Sequence, residues 1–338
     1  MDAFSEILSG LKLDGAFYFN AEFSAPWSAS APASQALAPA LAPGAKHLVI
    51  YHFILEGRAF ARLDSASLSL EVGDVIVFPH GDPHLMSSET CVLDPQLSSD
   101  VERKVMAHDL SLLRGGGGGE TTRIVCGYMA CDPHLSRPVL SGLPPMFKVN
   151  VKADRAGYWL ENSILHLVEE AASGTVGSEA MLAKLSEALF VDTLRRYMRS
   201  LPDSQTGWLA GARDVIVGKS LAFLHRRVEH PWTIAELADQ VGVSRSTLVE
   251  RFTRYLGEPP MTYLSRWRLQ LAARSLRGTA KGVAEIASEV GYESEAAFNR
   301  AFKREFDLPP ARYRREKKRT TGSPNCSRGT QSEARDHL

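Results

Sequence analysis

The sequence predicts an α+β multidomain protein. It should hold an N-terminal antiparallel β barrel or sandwich followed by helices, then an all-α C-terminal domain with two helix-turn-helix units. Three observations carry this. Short apolar runs broken by turns recur from residue 47. A helical period replaces them from about residue 156. A ten-residue pattern, Ile234–Val243, returns as Val283–Tyr292.

The β runs are His47–Leu55, ending at Glu56-Gly57; Ala59–Leu63, ending at Asp64-Ser65; Leu68–Val72, ending at Gly73-Asp74; and Val75–Phe78, ending at Pro79-His80-Gly81. Their spacing of about ten residues and their β-branched and aromatic content are those of antiparallel sandwiches and barrels. Residues 24–45, rich in Ala, Pro and Ser, read as a mobile arm or a loosely packed edge. The five glycines Gly115–Gly119 read as a flexible loop. Leu160, Ile164, Leu167 and Val168 form one helical stripe. Met181, Leu182, Leu185, Leu189, Val191, Leu194, Tyr197 and Met198 form a second over Glu179–Arg199. That second helix needs a partner surface, either a second copy of the chain or its own interior. Pro202–Gly207 reads as a linker.

Apolar residues make up 44% and charged residues 23% of the 338, enough to bury a core in two or three domains. No apolar run approaches the roughly 18 residues of a membrane helix, so no membrane partner is expected. Met1–Glu6 lacks the basic-then-apolar pattern of a secretory signal. Four cysteines in this length make no disulfide framework. A reducing, cytoplasmic setting is the expectation.

The formal charge is zero, but unevenly spread. Residues 1–205 hold 16 basic and 24 acidic side chains, net −8, and residues 206–320 hold 21 and 13, net +8. Such asymmetry fits a C-terminal half that meets a polyanion; a solvated basic face is the alternative.

The repeat sharpens this. After one inserted residue the offset becomes 50: Ser244 matches Ser294, Leu248 matches Phe298, Phe252 matches Phe302, Arg254 matches Arg304, and Pro259-Pro260 match Pro309-Pro310. In each copy Ala238 or Ala287 allows close helix crossing. Gly242 or Gly291 ends the helix in a left-handed conformation. Ser244 or Ser294 caps the next helix. A short helix, a glycine turn and a capped second helix make a helix-turn-helix.

Residues 213–315 resemble the DNA-binding domain of the AraC/XylS transcription regulators. The matching motifs are Pro231–Ile234, Gly257–Leu264, Arg266–Leu269, Gly291–Ser294 and Phe306–Arg314. The resemblance implies seven helices with two recognition helices on a long connecting helix, entering successive major grooves of double-stranded DNA about 34 Å apart, and RNA polymerase as a partner. Carried over by position, the base-facing residues are Ser246, Val249 and Glu250 on the first recognition helix and Glu295, Ala297, Asn299 and Arg300 on the second. Arg300 is the strongest of these, since Arg reaches guanine bidentately. Glu250 can accept from cytosine but repels phosphate. Arg245, Arg251, Arg254, Lys303 and Arg304 read as backbone contacts, which position without specifying.

In the front half, Gly73, Pro79, Gly81 and His84 have the spacing of the second cupin motif, while Tyr51–Gly57 keeps only a blurred first one. With Cys126-Gly127 and Leu143-Pro144-Pro145, this half resembles the cupin-type sensor of some AraC-like regulators. A small-molecule effector pocket in the barrel is the leading expectation, and a redox signal the alternative. His80, His84, Cys91, Cys126 and Cys131 are types that a transition metal accepts, but their spacing is irregular and no CxxC pair occurs, so no cofactor is expected.

The boundaries implied are 1–155 for the cupin-like sensor, 156–205 for a helical linker that dimerises the chain, 206–315 for the DNA-binding domain and 316–338 for a disordered tail. The chain reads as a sequence-specific transcription regulator, not an enzyme. The competing reading is a cupin-type metal-dependent enzyme with a helical accessory domain.

Overall fold

The computed structural model describes residues 2–10, 13–90, 98–107, 109–152 and 154–320. The chain forms two compact units: residues 1–226 with 233–260, and residues 227–232 with 261 onward.

The first unit opens with helix α1 (Ala3–Gly10). Then come strands β1 (Asp14–Ser24) and β2 (Ser28–Ala31), helix α2 (Ser34–Leu41), and strands β3 (Leu48–Glu56), β4 (Arg58–Leu63), β5 (Ala66–Glu71), β6 (Asp74–Phe78) and β7 (His84–Ser87). Helix α3 (Ser98–Met106), strands β8 (Leu113–Gly116) and β9 (Thr121–Ala130), helix α4 (Pro133–Leu140) and strand β10 (Phe147–Asn150) complete the β half. The four strands read from the apolar runs are β3 to β6. They join a six-stranded sheet, β10-β6-β3-β9-β1-β8, and a four-stranded sheet, β2-β7-β4-β5. Among the described residues every strand pairing is antiparallel except β1 with β8, which is parallel. Alternation along the strands buries one cluster between them, with Phe19, Phe23, Trp27, Ile50, Ile54, Ile76, Phe78, Met86 and Ile124 at its centre.

Two expectations are corrected here. Residues 24–45 include β2, an edge strand, and α2, whose Leu37, Ala38 and Leu41 are buried, so of the two readings the mobile arm is the one overturned. The glycine run is not a free loop. Gly116 is paired in β8, Gly117 N–H donates to Ser24 O and Gly119 N–H to Ala25 O. A Cβ at Gly116 would lie 1.9 Å from Ser24 O, so the close backbone approach itself requires glycine there.

Helices α5 (Arg155–Ala172) and α6 (Ser178–Ser200) pack on each other, and α6 lies across β1. Leu182, Leu189, Phe190 and Leu194 are buried by these contacts. Of the stripe read as a dimer surface, Leu182, Leu189 and Leu194 are thus consumed within the chain, Leu185, Val191, Tyr197 and Met198 are half-buried, and Met181 stays exposed. Helices α7 (Trp208–Arg213), α8 (Val215–Arg226), α9 (Ile234–Val241) and α10 (Arg245–Leu256) follow. Helix α1 packs against α8 through a face that includes the fully buried Ile7, and Glu6 pairs with Arg226 at 2.9 Å.

The second unit holds α11 (Pro260–Gly278), α12 (Val283–Glu289), α13 (Glu295–Phe306) and α14 (Pro310–Thr320) around Leu269, Ala273, Leu276, Ile286, Phe298, Phe302 and Tyr313. Helix α14 runs on to Thr320, so the tail expected to be disordered from Glu316 begins as helix; residues 321–338 lie outside the described residues. No helix among the described residues is long and apolar enough to cross a membrane.

Candidate nucleic-acid interface and effector cavity

The two repeats fold alike because their local signals are alike. In the first, the Thr233 hydroxyl accepts from Glu236 N–H to start α9, Gly242 closes it at φ +76°, and the Ser244 hydroxyl accepts from Thr247 N–H to start α10. Leu248 and Phe252, four apart, are fully buried. In the second, Glu285 reaches back to Gly282 N–H, Gly291 turns the chain at φ +82°, and Ser294 caps α13 by accepting from Ala297 N–H at 3.2 Å. Phe298 and Phe302 are fully buried. Here Gly291 is required twice over, since a Cβ would also meet Glu229 O at 2.6 Å.

At 3.6 residues per turn, the face of each second helix roughly opposite these buried pairs is centred on Glu250 in α10 and Arg300 in α13. Both are exposed, as are Ser246 and Glu295; Val249, Ala297 and Asn299 are half-buried at the edges. The predicted set therefore divides into a solvent-facing centre and half-buried flanks. Arg245, Arg254, Lys303 and Arg304 are exposed too. Arg254 lies against the Tyr255 ring, 6.0 Å from its centroid. Arg251 is differently employed. Its guanidinium donates to both Asp214 oxygens, at 2.7–3.1 Å, and Asp214 also accepts from Ile216 and Val217 N–H at the start of α8. The pair holds the Asp214 carboxyl below its usual range despite burial, and ties α10 to α8.

Arg268, noted in the sequence only as part of a motif, has a structural task that spacing does not reveal. It donates to Val228 O and His230 O at 2.7 Å and to Gly291 O at 3.1 Å, fixing the turn that aims α13.

In the β half, register brings His52 of β3 opposite Cys126 of β9. The His52 Nδ1–Cys126 Sγ distance is 2.7 Å, the His52 Nε2–His84 Nε2 distance is 2.7 Å, and His84 Nδ1 lies 2.9 Å from Asp82 O. A carbonyl only accepts, so His84 Nδ1 carries a proton and His84 Nε2 accepts from His52 Nε2–H. His52 Nδ1 then accepts the Cys126 thiol proton. Every group in this chain is satisfied while neutral. Burial lowers the His52 pKa far below its ordinary value and the His84 pKa to about 4, and it pushes the Cys126 thiol far up. Phe78 stacks on His84 with ring centroids 3.6 Å apart.

His52 and Cys126 line a cavity of about 350 Å³ whose wall is otherwise mainly apolar: Phe19, Phe23, Trp27, Leu37, Met86, Val105 and Ile124 among others. His84 abuts this wall through His52. The other sensor candidates do not converge on it. His80 Nε2 bonds Leu143 O at 3.2 Å, and Cys131 is buried with its thiol pushed up to about 11 by burial. Cys91 lies outside the described residues. Among the described residues, no three His, Cys, Asp or Glu side chains form a group that could hold a metal; the two His52 nitrogens face opposite neighbours rather than one centre. His52 was missing from the sequence-derived site. The signal was present in the blurred first motif, but its pairing with Cys126 spans 74 residues and only strand register makes it visible.

A family profile described as Cupin matches residues 2–199, and one described as Helix-turn-helix domain matches residues 237–316. An AraC-like transcription regulator of Streptomyces lividans is 34% identical over 248 residues, covering 72% of this chain and 81% of the relative. The chain belongs to the AraC family of transcription regulators. It is a DNA-binding regulator with a cupin-type N-terminal domain. The regulator AlkR of Acinetobacter baylyi is 28% identical over 321 residues, covering 94% of this chain and all of that one. Among solved structures, the DNA-binding domain of AdpA in complex with a target DNA is 27% identical over 32% of this chain and 99% of that one, with a TM-score of 0.31.

Proposed function

We propose that this AraC-family regulator reads its operator with the outer faces of α10 and α13 and responds to a small molecule held in the β-half cavity. Arg300 leads the base contacts, with Ser246, Val249, Glu250, Glu295, Ala297 and Asn299 around it. Arg245, Arg254, Lys303 and Arg304 contact phosphate, and Arg251 acts chiefly as a brace through Asp214. One observation carries this reading: both second helices are capped, pinned by a buried pair and left with a solvent-facing side. Work in the cytoplasm, on double-stranded DNA and with RNA polymerase, follows from that role, with a homodimer as the working assembly.

At Cys126 and Cys131 a bound molecule fits better than oxidation. Thiol oxidation starts from the thiolate, and burial keeps Cys126 and Cys131 protonated at neutral pH. No transition metal is invoked.

In vitro selection with the full chain tests the DNA reading. Enrichment of one sequence, bound about a thousandfold or more tighter than random DNA, is expected. Equal retention of all sequences contradicts it.

A further inference from the structure

We infer that the effector is an uncharged, largely aromatic compound carrying one hydrogen-bond acceptor, recognised by the Tyr18 hydroxyl in the cavity wall. This rests on the reading of the cavity as the sensor site. The wall holds no lysine or arginine among the described residues, and its one carboxylate, Glu102 of α3, is exposed. A buried anion would lack a counter-charge there, and an unpaired charge in such surroundings is strongly disfavoured. A cation would find only Glu102, which faces solvent.

The polar atoms of the wall narrow the class further. Both His52 nitrogens and the Cys126 thiol are already satisfied by one another and by His84. Sugars, which need many partners, find few. Two donors are left over, the Trp27 indole N–H, which is buried with no hydrogen-bond partner among the described residues, and the Tyr18 hydroxyl. Tyr18 is 5% exposed, lines the cavity, and no hydrogen bond to its hydroxyl occurs among the described residues. Burial raises its pKa far above the ordinary value, so it stays a donor. Phe19, Phe23 and Trp27, with the Phe23 and Trp27 rings 5.1 Å apart, supply flat surfaces for a ring.

The test titrates full-length protein with three probes of similar shape, read by calorimetry: acetophenone, α-methylstyrene (a CH₂ in place of the carbonyl oxygen) and benzoate. Acetophenone is expected to bind about threefold to tenfold tighter than α-methylstyrene, the worth of one hydrogen bond, and benzoate to bind weakest. Tyr18→Phe should abolish the preference within the same protein sample, and Ile124→Phe, which fills the cavity, should weaken both neutral probes. Benzoate binding best would overturn the inference and leave the sensor reading standing. A preference unchanged in Tyr18→Phe would overturn the role of that hydroxyl. Failure of all three probes to bind saturably would overturn the inference alone, since a non-aromatic effector would still satisfy the sensor reading.

Discussion

Replacing Arg300 by Ala isolates the base-reading step from folding. Arg300 lies in the second turn of α13, on the side away from the fully buried Phe298 and Phe302, and it makes no ion pair among the described residues. Truncation leaves that pair and the Ser294 cap untouched, so stability should change by no more than about 0.5 kcal/mol. Loss of a bidentate contact to guanine should cost about 1–3 kcal/mol, about fivefold to 150-fold in affinity. The loss should be confined to one operator position. Fluorescence anisotropy against the selected operator, against versions changed at each base pair, and against random DNA separates these effects. The variant should lose discrimination at a single position, with random DNA weakened only as expected for one fewer charge. An equal drop on every sequence would refute the base-reading role, and no drop at all would refute any contact.

Other outcomes follow from the same structure. Lys303→Ala should lower the salt slope of DNA binding by about one, whereas Arg251→Ala should lower the melting temperature and leave that slope nearly unchanged, because its guanidinium is spent on Asp214; the reverse pattern would make Arg251 a phosphate contact. Gly127→Ala would place a methyl 2.2 Å from the fully buried Tyr51 ring, and overpacking of this kind costs about 1–3 kcal/mol or more, visible in denaturant melts. Acid should destabilise the β half. His84 titrates near 4 when folded against an ordinary 6.5, so the unfolded chain binds more protons in between. Stability is then full above about 6.5 and is lost as pH falls toward about 4. His84→Phe should shrink that limb of a melting-temperature profile, leaving the part contributed by His52 and His225, whose pKa values burial also lowers.

Local chemistry was the legible part. Caps at Ser244 and Ser294, left-handed turns at Gly242 and Gly291 and four-apart apolar pairs are decided within a dozen residues, and each folds as the sequence predicts. The strands β3 to β6 were equally plain, because apolar runs and the turn residues that end them are also local. What escaped was decided at long range. The stripe on α6 carried no mark of whether β1 or another copy would cover it. The glycines from 115 to 119 looked loose because nothing nearby announces the backbone of Ser24 and Ala25 arriving against them. The neutral chain from Cys126 through His52 to His84 joins three strands, and the Arg251–Asp214 brace joins two helices 37 residues apart. Both exist only once packing has set the register.

The most direct test of the central claim is guanine-methylation interference on the selected operator, with wild-type protein, Arg300→Ala and Ser246→Ala/Val249→Ala. Two separate major-groove segments should interfere with wild-type binding, one disappearing with the α13 change and the other with the α10 changes. A pattern with no major-groove interference, or one unaltered by either set of substitutions, would contradict the account.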